Sequence, residues 1–146
     1  MIKTELEKLI ADKRARIGVI GLGYVGLPLI VEFCSNGFEG IGIEVDEKKV
    51  DEINGGNSYI SDVPPERLRP CVEAGKLSAT TDFSRLTDCD AIIICVPTPL
   101  RKTKDPDMSF ILAAGGEIQK YMRRGQLVIL ESTTSAWTSI RQACAP

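Results

Sequence analysis

Two periodicities alternate along the chain. Short apolar runs at 16–21, 38–44, 77–80, 90–96 and 126–131 are too brief for helices and predict strands. Between them apolar residues recur every three or four positions, predicting helices over 24–36, 46–54, 64–75 and 109–122, with one helical turn near 82–86. Ile2, Leu6, Leu9 and Ile10 stand at helical spacing among charges, so an amphipathic helix over 3–14 precedes the first strand and packs on the domain edge. In the 24–36 helix the face carrying Val25, Leu29 and Phe33, with Ile30 and Cys34 beside it, is expected to cover the sheet. In the 109–122 helix Ile111, Ala114, Ile118 and Tyr121 are expected to face inward.

Punctuation agrees with those elements. Gly37 and the pair Gly55-Gly56 stop helices, Asp46 is placed to cap one, and Pro64-Pro65 starts another. The runs 90–96 and 126–131 lack polar alternation, the mark of parallel strands covered on both faces. Pro97-Thr98-Pro99 forces an extended exit from the fourth strand, and the basic stretch 101–107 reads as a mobile loop. Strand and helix alternate throughout. That pattern defines an α/β fold, a Rossmann-type doubly wound parallel sheet of order 3-2-1-4-5 in a single domain.

Composition narrows the chemistry. At 146 residues with 43% hydrophobic content the chain buries one core, and a formal charge of −2 leaves no footprint for nucleic acid. No uncharged run is long enough to span a membrane and the first residues carry Lys and Glu, so no membrane association and a cytoplasmic location are expected. The five cysteines form no CxxC pair and histidine is absent, which argues against a metal site and removes the commonest general base. An odd cysteine count fits reduced thiols, with Cys34 and Cys95 as core residues.

The candidate chemistry lies in the turn after the first strand, GLGYVG at 21–26. Gly21 permits the sharp exit, Gly23 lets backbone approach a pyrophosphate, and Gly26 lets the helix pack close to the sheet. The helix start supplies free N–H groups and a positive dipole end. Glu44 ends the second strand eighteen residues after Gly26, where such folds place a carboxylate for ribose hydroxyls. A carboxylate there repels a 2′-phosphate, favouring NAD over NADP. Asp46 is explained by capping alone. Lys49 lies along the adenosine or is a solvated surface lysine.

The segments 15–29, YISDV at 59–63, ICVPTPL at 94–100, Pro106-Asp107 and LESTT at 130–134 resemble the N-terminal domain of the UDP-glucose/GDP-mannose dehydrogenase family. The branch they are most similar to is the UDP-N-acetylglucosamine 6-dehydrogenase type, which also shares the leading helix. Such enzymes oxidise the sugar C6 alcohol to a carboxylate, using NAD twice, through a thiohemiacetal on a cysteine. The resemblance implies that Gly21, Leu22, Gly23, Tyr24, Val25 and Gly26 hold the pyrophosphate, Glu44 with Lys49 the ribose, and that Val96, Pro97 and Thr98 line the cofactor. It implies a catalytic place for Thr133 beside the nicotinamide and a water, although a hydroxyl there also satisfies loop backbone.

Three segments are expected: the helix within 1–15, the NAD-binding domain over 16–134, and a divergent tail over 135–146. The family continues with Pro-Gly-Thr where this chain reads SAWTSIRQACAP, so a truncated gene or altered frame is the expectation for that tail. The family's cysteine nucleophile motif, catalytic lysine and aspartate, dimerising helix and sugar-nucleotide domain have no counterpart here. Two readings stand: an NAD-binding domain catalytically incomplete alone, taking a UDP-sugar only with a second domain, or a non-enzymatic NAD-binding regulatory or interaction module that self-associates or seeks a partner. A complete short-chain hydride-transfer enzyme is disfavoured because no Tyr-x-x-x-Lys is present.

Overall fold

The computed structural model describes residues 2–131. The element order is α1 Ile2–Ala11, β1 Arg16–Ile20, α2 Gly26–Ser35, β2 Glu39–Ile43, α3 Glu47–Asn54, α4 Pro65–Glu73, β3 Leu77–Thr80, a 3-10 helix Phe83–Asp88, β4 Ala91–Ile94, α5 Ser109–Tyr121 and β5 Leu127–Leu130. All strand pairs are parallel and the order is β3-β2-β1-β4-β5, as the alternation required. Two apolar layers flank the sheet. One joins α2, α3 and α4 through Leu27, Ile30, Val31, Ile53 and Leu68, and the other joins α5 and the 3-10 helix through Ala114, Ile118 and Leu86. Thr133, Trp137, Cys144 and the whole 135–146 segment lie outside the described residues.

Four local readings differ from the structure. The buried stripe of α2 is Leu27, Ile30, Val31 and Cys34, whereas Val25 is 56% exposed and Leu29 and Phe33 sit at the rim. Gly40 of β2 decides this, because a Cβ there would lie 2.7 Å from Ile30 Cγ1 and 2.8 Å from Cys34 Sγ. The bare strand face admits those two side chains, and Phe33 turns instead to an edge-on contact with Phe38 at 5.8 Å. The helix also starts at Gly26 rather than 24, leaving 21–25 as turn.

The second difference is β5, expected to be covered on both faces. Leu127 and Val128 are 41% and 40% exposed, since β5 is an edge strand that pairs only with β4 among the described residues. Third, the stretch 101–107 is drawn into a hydrogen-bonded turn. Leu100 bridges Pro106, Arg101 N–H donates to Asp105 O at 2.8 Å, and Arg101 pairs with Asp107 at 3.3 Å. Fourth, α1 buries no residue, and of its apolar side chains Leu9 packs on the core while Ile2 and Ile10 stay exposed.

Candidate functional site

The carboxyl ends of the strands open into a cleft of about 840 Å3, within the range of small-molecule sites. It lies where β1 connects outward to β2 on one side and has β4 on the other, the switch point of a doubly wound sheet. Gly21 N–H donates to Ile43 O at 2.8 Å and Cys95 N–H to Ile20 O at 2.8 Å, extending the ladder to the cleft rim.

Each glycine of the turn has a separate task. Gly21 has φ +91° and a Cβ there would meet Cys95 O at 2.8 Å, so strand exit and neighbour both exclude a side chain. A Cβ on Gly26 would lie 1.7 Å from Gly21 O, so this residue closes the turn on itself. A Cβ on Gly23 would meet nothing within 4 Å, so its bareness serves nothing inside the chain and leaves room on the cleft side. Behind them α2 has no acidic residue in its first turn and no side-chain cap, which leaves its positive end for an anionic group.

Of the residues read from the sequence, Gly21, Gly23, Tyr24, Val25, Glu44, Lys49, Val96, Pro97 and Thr98 are gathered on the cleft wall. Leu22 and Gly26 stand behind it, with Leu22 1% exposed. Glu44 is buried and already accepts three backbone bonds: Leu22 N–H at 3.0 Å on Oε2, and Val45 and Asp46 N–H at 3.0 and 3.3 Å on Oε1. A carboxylate offers about four acceptor positions, so one remains for a hydroxyl. Asp46 caps α3, accepting from Lys48 N–H at 3.0 Å. Lys49 places its Nζ 5.6 Å from the centre of the Tyr59 ring, a cation–π contact that neither reading of that lysine foresaw.

Sequence reasoning left out Tyr59 as a site residue and the whole wall given by α5. Phe110, Ala113 and Glu117 line the cleft, while Ile111, Ala114 and Ile118 fill the core. The spacing 110, 113, 117 is itself helical and marks a second stripe beside the buried one. Cys95 also reaches the cleft. Burial, with the negative charge of Glu131 nearby, pushes its thiol up to about 11, so it stands there protonated and unreactive.

A parallel sheet of this order, a glycine turn opening a helix at its switch point and an acid at the end of the second strand define a dinucleotide-binding domain. The UDP-glucose/GDP-mannose dehydrogenase family, NAD binding domain, matches over residues 15–143, and the chain belongs to that family as an NAD-binding domain. The UDP-N-acetyl-D-mannosamine dehydrogenase of Pyrococcus horikoshii is 38% identical over 131 residues, 88% of this chain and 31% of that protein. The NDP-N-acetyl-D-galactosaminuronic acid dehydrogenase of Ralstonia nicotianae is 42% identical over 119 residues, 81% of this chain and 27% of that protein. GDP-mannose dehydrogenase from Pseudomonas aeruginosa, solved as a ternary complex, superposes with a TM-score of 0.83 at 35% identity, covering 88% of this chain and 30% of that one. The chain thus spans less than a third of the length of these relatives.

Proposed function

We propose that this chain holds NAD across the 840 Å3 cleft as the cofactor half of a nucleotide-sugar 6-dehydrogenase. The observation that carries this is the open space at Gly23 on a turn whose other two glycines are locked by contacts. The Gly23–Val25 backbone and the start of α2 receive the pyrophosphate, Glu44 takes a ribose hydroxyl on its remaining acceptor position, and Val96, Pro97 and Thr98 flank the rest. Bound NAD supplies the hydride acceptor. Thr133 belongs to this reading by its place in the LESTT segment. The nucleophile and the acid–base groups are contributed by a second domain, and the UDP-sugar that brings the C6 alcohol binds only with it. The four free thiols among the described residues, Cys34, Cys71, Cys89 and Cys95, fit a reducing compartment, and the cytoplasm is the location we propose.

Calorimetric titration tests this. NAD is expected to bind and to raise the melting temperature, with NADP at least tenfold weaker because Glu44 repels the added phosphate. Equal affinity for the two would overturn the role of Glu44, and no heat with either would overturn the cofactor site. NAD with UDP-sugars is expected to yield no NADH from the 146-residue chain, and turnover would refute the incompleteness.

A second reading is favoured by apolar side chains left exposed on α5 and on β5, Leu112 at 51% on the one and Leu127 and Val128 at 41% and 40% on the other. A regulatory or interaction module would use that surface for self-association or a partner. Light scattering separates the two: a concentration-dependent dimer abolished by Leu112→Asp supports the module, and a monomer at all concentrations removes homo-association.

A further inference from the structure

We infer that Tyr59, from the loop between α3 and α4, is a positioning residue that fixes the Leu22–Gly23 peptide and so aims the first N–H of the phosphate-binding turn. The inference rests on the placing of the NAD pyrophosphate at that turn.

Leu22 is anchored at three points, two at the end of β2 and one in the loop between α3 and α4. Its side chain is buried over the bare Cα of Gly42, where a Cβ would come within 2.6 Å of Leu22 Cδ1. Its N–H donates to Glu44 Oε2 at 3.0 Å. Its carbonyl accepts from the Tyr59 hydroxyl, thirty-seven residues away. No peptide among the described residues is cis. In a trans peptide the C=O of one residue and the N–H of the next share a plane and point in opposite directions. Holding the Leu22 carbonyl therefore sets the direction of the Gly23 N–H.

That plane needs holding. It ends at Gly23, and glycine offers little steric resistance to rotation of an adjoining peptide. The Glu44 bond fixes only the plane before Leu22. Tyr59 itself is well seated, half-buried on the cleft wall with Lys49 Nζ over its ring. Burial, with the negative charges of Glu44 and Asp46, pushes its hydroxyl well above the ordinary tyrosine range, so it stays a donor.

The test is Tyr59→Phe titrated with NAD, ADP-ribose and adenosine by NMR, beside its melting temperature without ligand. Losing one neutral hydrogen bond that aims a phosphate donor is expected to weaken NAD and ADP-ribose about five- to tenfold. Adenosine, which carries no phosphate, should stay within about twofold on the same scale. Unchanged NAD affinity, or equal weakening of all three ligands, would overturn the inference, the latter because it makes Tyr59 merely a wall of the cleft. Should the Phe variant fail to fold, amide relaxation in the unaltered chain decides: the Gly23 N–H is expected to be as rigid as β1, with an order parameter near 0.85, and a value below about 0.6 overturns the inference. Unaltered chain that binds neither NAD nor ADP-ribose strikes the cofactor reading as well, whereas normal binding with an indifferent variant strikes only Tyr59.

Discussion

Gly23 and Gly26 stand three residues apart and differ in what a methyl group would do. At Gly26 it would overlap the Gly21 carbonyl, so Gly26→Ala is expected to destabilise the domain by more than about 3 kcal/mol, read from urea unfolding. At Gly23 it would project into open space, so Gly23→Ala should unfold within about 0.5 kcal/mol of the parent yet bind NAD at least tenfold more weakly. Equal stability losses at both positions would refute the division of labour. The motif spacing alone singles out the three glycines. The acid at the end of the second apolar run, Glu44, is legible in the same way, and the structure puts it on the cleft wall. The spacing does not reveal that Glu44 spends most of its acceptor capacity on backbone, or that Tyr59 secures the same turn, since a lone tyrosine in a polar loop carries no periodic signal.

At the level of elements, propensity and pattern placed every helix and strand of the described residues within a few positions. What they missed were orientations. The buried stripe of α2 differs from the expected one because helical spacing permits two adjacent faces, and the missing side chain of Gly40 in the neighbouring strand selects between them. In α5 the consecutive Gly115 and Gly116 are exposed and a Cβ on either would meet nothing within 4 Å. Mid-helix glycine costs about 0.5–1 kcal/mol relative to alanine, so Gly115→Ala or Gly116→Ala is expected to raise stability by that amount. A loss of stability in thermal unfolding would mean that the face is already occupied, for instance in a dimer. The stretch 101–107 reads as a mobile loop on its charge, and what that reading does not show is the pairing of Arg101 with Asp107 at 3.3 Å across it.

For the molecule as a whole, topology followed from alternation and handedness, and only covering differed: a strand run as apolar as 127–130 reads as central, yet its place at the sheet edge leaves it half open. The buried thiols give the domain an alkaline weakness. Burial pushes Cys34 and Cys89 up to about 12 and Cys95 to about 11, from an unfolded value of 9.0. Above pH 9.0 the unfolded chain has released protons that the folded chain still holds, so unfolding is favoured progressively as pH rises toward 11. Calorimetric melting is expected to be level from about pH 7 to 8.5 and to fall steadily above it, with a shallower fall in Cys89→Ala. A melting temperature flat to pH 11 would contradict the burial of these groups.

Strand β2, EGIGI, presents nothing on one side at Gly40 and Gly42, and into those two gaps go the helix that follows the glycine turn and the leucine that belongs to it. The interior is thus a mould for the outer surface of the cleft. A methyl group added at position 42, far down the chain from the turn and shut off from any ligand, would lift Leu22 and tilt the donors it steadies. A genetic screen for weakened cofactor retention would therefore return hits deep in the sheet alongside those on the rim.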